Sequence, residues 1–130
     1  MTEAEQTARA LVEAMGAGVM HYGMRIIDDD GRTWLVWLAG DCYADDGSAE
    51  WEHVETLNDP RPVLEAASTA GVLLGMLPQG SCWSWDDVGF GYQAEFGACV
   101  QIFNGSCLGV AVARALIAIH GGSDAHHVLR

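Results

Sequence analysis

The apolar positions of this chain recur with two periods, and the changes between them mark its elements. Ser106–His120 reads SCLGVAVARALIAIH, with Leu108, Ala111, Val112, Ala115, Leu116 and Ile119 at helical spacing. Val110, Ala113 and Ile117 make the opposite side apolar as well. A helix apolar on nearly every side has to be covered on nearly every side, so this one is expected at the centre of the fold. Asn104-Gly105 should turn the chain into it, Ser106 cap it and Gly121-Gly122 stop it. It is too short to span a bilayer as a helix.

Two more helices are expected. Thr2 opens a capping box with Glu5, and Ala4, Ala8, Leu11, Val12 and Met15 mark a buried face that Gly16 and Gly18 end. Asp59-Pro60 reads as the start of the second helix, with Asp59 as cap and Pro60 in the first position. Val63, Leu64, Ala67, Ala70, Gly71 and Leu74 form its stripe, and Pro78-Gln79-Gly80 closes it.

Strands fill the intervals. Residues 19–28 and Arg32–Leu38 flank the turn Asp29-Asp30-Gly31, a hairpin signal. Trp34, Val36 and Leu38 alternate with Leu35 and Trp37, so both faces of this strand are expected to be covered. Ser81–Val88 and Gly91–Phe103 read as a second hairpin. In the latter, Tyr92, Ala94, Phe96, Ala98, Val100 and Ile102 share one face, while Gln93, Glu95, Gly97, Cys99 and Gln101 share the other. One face is therefore packed and the other wet. Residues 39–59 read as a long acidic connection with a short strand at most, around Trp51–Val54. The expected fold is α+β, in the order α-β-β-α-β-β-α: an antiparallel four-stranded sheet packed with three helices. One domain covers 1–122, with a mobile tail at 123–130.

Charge changes the picture. The 130 residues hold 18 Asp and Glu against six Arg and no Lys, a net charge of −12. Such a chain is repelled by nucleic acid and anionic membranes and attracted to basic protein surfaces. Ten of the 18 acids fall in residues 28–59. The four cysteines, Cys42, Cys82, Cys99 and Cys107, form no CxxC pair, which argues against zinc. The N-terminus is acidic where a signal peptide is basic. Reduced thiols and a cytoplasmic location, that of a host cell, are expected.

Three segments together resemble the phage ABA-sandwich domain family. They are TARALVEAMG, DPRPVLEAASTAGVLLGML after the acidic Trp-containing loop, and GYQAEFGACVQIF running into GSCLGVAVARALIAI. The resemblance implies an accessory phage protein, a class that often inhibits host machinery. Its name implies helices outside a sheet, whereas the wet face of Gly91–Phe103 favours helices on one side. It carries over no catalytic residue.

The acidic stretch is the best functional candidate. Carboxylates can imitate the spacing of a phosphate backbone, and interleaved aromatics such as Tyr43 and Trp51 can anchor a contact. The bland alternative is a solvated loop. The expected binding residues are Asp28, Asp29, Asp30, Asp41, Asp45, Asp46, Glu50, Trp51, Glu52 and Glu55. Charge and resemblance together point to a non-enzymatic inhibitor of a basic, nucleic-acid-handling host complex. Such a complex is a CRISPR surveillance complex or another defence nuclease, blocked at its DNA site, with no cofactor and no direct nucleic-acid contact. An immunity protein against a nuclease toxin fits the same charge. A second reading is an assembly protein, a homodimer for example, that self-associates through Ser106–His120 and the small residues of 66–75. A third is a pocket lined by Trp83, Trp85, Glu95 and Cys99. Trp83 and Trp85, with Asp86 and Asp87, are either core residues or a second binding surface. Asp41, Asp45, Asp46, Ser48 and Glu50 offer oxygen ligands to a cation but lack EF-hand spacing. The five histidines match no ligand motif.

Overall fold

The computed structural model describes residues 2–78, 81–93 and 101–120. Helix α1 spans Glu3–Met15. The Thr2 hydroxyl accepts from the Glu5 amide at 3.2 Å, and Gly16 ends the helix at φ 79°, a conformation a side chain would strain. Ala4, Thr7, Ala8 and Leu11 are its buried residues.

Strands β1 (Arg25–Ile27) and β2 (Thr33–Val36) form the first hairpin. Its loop is Asp29-Asp30-Gly31. The Asp28 amide donates to the Arg32 carbonyl at 3.0 Å, and Gly31 takes φ 81°, the left-handed residue that a three-residue hairpin loop requires. Both strands are shorter than the expected 19–28 and 32–38, because a 3₁₀ turn at Ala17–Val19 and a turn at Tyr22-Gly23 precede β1 and a 3₁₀ turn at Leu38–Gly40 follows β2.

The acidic connection is itself a hairpin, β3 (Asp41–Ala44) and β4 (Trp51–His53). β5 (Arg61–Pro62) follows, and the first sheet runs β4-β3-β2-β1-β5, antiparallel throughout. Asp59-Pro60 therefore does not start the second helix. Pro62 disfavours helical geometry at Arg61, and Asp59 sits at φ 50°. The segment stays extended and pairs along the edge of β1, where a proline is tolerated. Helix α2 begins only at Ala67 and ends at Leu74. It buries Thr69, Ala70 and Leu73, while Ala67 and Gly71 of the expected stripe are exposed.

The second sheet is β6 (Cys82–Asp86), β7 (Gly89–Gln93) and β8 (Gln101–Phe103), in that order. Gly91–Phe103 is thus not one strand: Phe90 pairs with Phe103 and Tyr92 with Gln101, antiparallel. The alternating faces expected at 94–100, including Glu95 and Cys99, lie outside the described residues. The single four-stranded sheet is corrected to two antiparallel sheets of five and three strands; the α+β class holds.

Helix α3 covers Leu108–His120 and buries Gly109 to Ala113, Ala115 and Leu116. It packs on α1, α2, β7 and β8, the cover its all-round apolar sequence demands. Ser106 lies outside the helix. The Cys107 carbonyl accepts the first helical bond, from the Ala111 amide at 3.2 Å, and the Ser106 amide donates to Glu3 Oε1 at 2.9 Å. The expected stop at Gly121-Gly122 and the tail at 123–130 lie outside the described residues. One core cluster joins α1, α3, β7 and the inner face of the five-stranded sheet, whose residues are Ile26, Trp34, Val36 and Cys42.

Candidate functional site: the outer face of the five-stranded sheet

Strand alternation sends every second residue of the first sheet away from the core. In register, Arg25, Leu35, Tyr43 and Trp51 form one row across four strands on that outer side. Asp41 and His53 form the next, beside Trp37, whose amide donates to the Asp41 carbonyl at 2.6 Å. Tyr22, just before β1, joins them because the Gly23 amide donates to the Val36 carbonyl.

The aromatic rings on this face contact one another edge to face. Tyr22 and Trp37 lie 5.1 Å apart, Trp37 and Tyr43 6.4 Å, Trp51 and His53 5.4 Å. None is covered: Trp37 is 49% exposed and Trp51 54%, with Tyr22, Leu35, Leu38 and Tyr43 also exposed. The expectation that both faces of β2 would be covered is corrected. Trp34 and Val36 are buried, while Leu35 and Trp37 face out. Contiguous exposed apolar patches are uncommon on a monomer's surface, which makes this face the candidate site.

The expected acidic residues do not act alike. The β1–β2 and β3–β4 loops lie at the same end of the sheet, so Asp28, Asp29, Asp30, Asp45, Asp46 and Glu50 converge there. Arg32 bridges the loops, with Nη2 at 3.2 Å from Asp46 and Nη1 at 2.7 Å from Glu50. Arg25 Nε meets Asp45 at 2.8 Å, and Arg9 and Arg61 meet Asp59. These carboxylates are therefore partly neutralised by the chain's own arginines. The Ser48 hydroxyl and amide hold Asp46 below the usual carboxylate range, with Arg32 adding to it.

Asp28 is 6% exposed and faces inward, so it is corrected from binding residue to structural residue. Its Oδ1 accepts from the Asp30 and Arg32 amides, and its Oδ2 from Trp34 Nε1, all at 3.0 Å. Burial pushes its pKa up, but the Trp34 bond and the two amides outweigh this and hold it lowered. Asp41 and Glu55 lie at the opposite end of the sheet, while Glu52, in register with Cys42, is exposed on the other side of β4 from Trp51 and His53. Asp41 Oδ1 lies 2.8 Å from His53 Nδ1. Among the described residues, no ion pair reaches Asp29, Asp30, Glu52 or Glu55.

A cleft of about 400 Å³ opens beside Asp41–His53, lined by His21, His53, Glu55 and the Ala39-Gly40 backbone. No group of three His, Cys, Asp or Glu among the described residues could hold a metal ion. This weighs against the cation site at 41–50. Cys42 is buried, and burial pushes its thiol up to about 11, which makes it unreactive at neutral pH. Trp83 and Trp85 are exposed, not core residues. Among the described residues, no helix is long and apolar enough to cross a membrane.

The sequence pattern singles out Trp51 and Tyr43 of this face but not Tyr22, Trp37 or Leu35. The available signal was RTWLVWL, apolar on both faces, which fits a docking face as well as a doubly covered strand. No family model matches the chain, and neither does any curated protein or solved structure.

Proposed function

We propose that this chain is a non-enzymatic binding domain that docks a basic protein surface through the outer face of its five-stranded sheet. The observation that carries this reading is the exposed aromatic run Tyr22–Trp37–Tyr43, continued by Trp51. Aromatic side chains on a rigid sheet anchor interfaces at low entropic cost. The rim supplies selection. Asp29 and Asp30 at one end and Glu55 at the other carry uncompensated charge in a chain of net −12, which favours arginine- and lysine-rich partners.

A host complex that handles nucleic acid presents such a surface. Inhibition of a CRISPR surveillance complex or another defence nuclease at its DNA site is the specific form of this proposal, supported by the charge and by the phage-type sequence resemblance. The paired carboxylates Asp45, Asp46 and Glu50 contribute less to it than the sequence suggests, because Arg25 and Arg32 already occupy them.

The test is capture from a bacterial lysate carrying active defence systems, with immobilised protein and washes of rising salt. A basic nuclease complex is expected to be retained at low salt and released at high salt, and its own DNA is expected to compete with the protein for it. Trp37→Ala with Tyr43→Ala should lose it while remaining folded. Retention of the same complex by that double variant would overturn the assignment of the outer face.

A further inference from the structure

The three-stranded sheet ends on β6, which differs from the other outer strands. β5 has two residues and holds Pro62; β4 has three, including Glu52; β8 has three among the described residues. Short length, proline and charge are devices that keep a sheet edge from pairing with another chain. β6 lacks them over most of its length. Its five residues, Cys82–Asp86, are all exposed, contain no proline and carry no charge before Asp86. One side pairs with β7. Among the described residues, no backbone hydrogen bond reaches the other side. The strand is anchored at both ends to its hairpin: Trp83 stacks on buried Phe90 at 5.8 Å, and Asp86 Oδ1 accepts from the Val88 amide at 2.9 Å in the turn.

We propose that β6 pairs with β6 of a second copy of this chain, antiparallel about a two-fold axis at Ser84. Two three-stranded sheets then become one of six strands. The strand is self-complementary in that register. Cys82 lies opposite Asp86 of the partner subunit, Trp83 opposite Trp85 of the partner subunit, and Ser84 opposite Ser84 of the partner subunit. No carboxylate of the strand faces another, and two aromatic cross-strand pairs form. A foreign basic segment would find one carboxylate on the strand, Asp86, whereas a second copy in this register opposes no like charges and pairs aromatic with aromatic. Of the self-association surface suggested by sequence, α3 is spent inside the fold, while Ala67, Ser68, Gly71 and Gly75 of the 66–75 part are exposed.

This interface and the docking face are separate, and they respond to salt in opposite ways. Copies of net charge −12 repel each other, so salt strengthens the dimer; it weakens capture of a basic partner. Failure of one assignment is therefore distinguishable from failure of the other.

The experiment is analytical ultracentrifugation of the full chain over a wide concentration range at low and high salt. A monomer–dimer equilibrium that tightens with salt is expected. Ser84→Asp sets two carboxylates face to face at an exposed position and should weaken the dimer about tenfold or more, with circular dichroism unchanged. Ser84→Cys in a Cys82→Ser background should give a disulfide-linked dimer on oxidation, since directly opposed residues bring their Cβ atoms within bonding range. A monomer at every concentration and salt would overturn the proposal. So would a dimer indifferent to Ser84→Asp, or pairing of the edge with an added basic peptide without self-association.

Discussion

At the scale of single residues, Asp28 shows how a carboxylate that looks like a binding group can be structural. Its two oxygens close the β1–β2 loop and fix the Trp34 indole against the core. In Asp28→Asn, Oδ1 still accepts the two amides, but an NH₂ group then faces the Trp34 N–H, donor against donor. Urea unfolding followed by tryptophan fluorescence should show a loss of about 1–3 kcal/mol. The wild-type pH dependence has a defined sign. The folded pKa is lowered relative to the unfolded chain, so the stabilisation is present above the ordinary aspartate value. It is lost as pH falls through the depressed one, from about pH 4 downward. The Asn variant should lose that part of its acid sensitivity. Composition placed Asp28 with its neighbours Asp29 and Asp30, because period and charge cannot say which of three adjacent acids turns inward.

At the scale of elements, the approach of α3 to the segment before α2 is set by a missing side chain. A Cβ on Gly109 would overlap the Leu64 carbonyl oxygen. Gly109→Ala is therefore expected to cost about 3 kcal/mol or more, since the obstacle is backbone and cannot rotate away. A melting temperature within experimental error of wild type would contradict this close approach. Helices α1 and α3 were legible in sequence because their periodicity runs for three turns or more. α2 has eight residues, and DPRP ahead of it carries the cap and proline of a helix start, which displaces the expected stripe toward the N-terminus. β3, β4 and β5 have four, three and two residues, too few for alternation to register. The acidic turn joining β3 to β4 masked the hairpin as a loop. The aromatic face was hidden for the same reason, since Tyr43 and Trp51 meet Leu35 only once these short strands pair.

At the scale of the molecule, two electrostatic effects oppose each other. The ion pairs of Arg9, Arg25, Arg32 and Arg114 are each partly solvent-exposed, and such pairs contribute about 0–1 kcal/mol. Against them stands the self-repulsion of a net charge of −12. Repulsion is expected to dominate, so moderate salt should raise the melting temperature by a few degrees, about 1 kcal/mol. A fall on adding salt, read by calorimetry, would show that the arginine pairs dominate.

The burial of α3 has a consequence for how the chain is made. Among the described residues both sheets are complete by Phe103, yet the helix that packs on β7, the strand of Phe90 and Tyr92, comes after them. On the ribosome the five-stranded sheet can pair first, from contiguous sequence, but the nascent chain carries an uncovered apolar floor until the last turn of α3 emerges. Chaperone engagement and proteolysis should therefore concentrate in that interval, and folding completes when the final helix closes over the core.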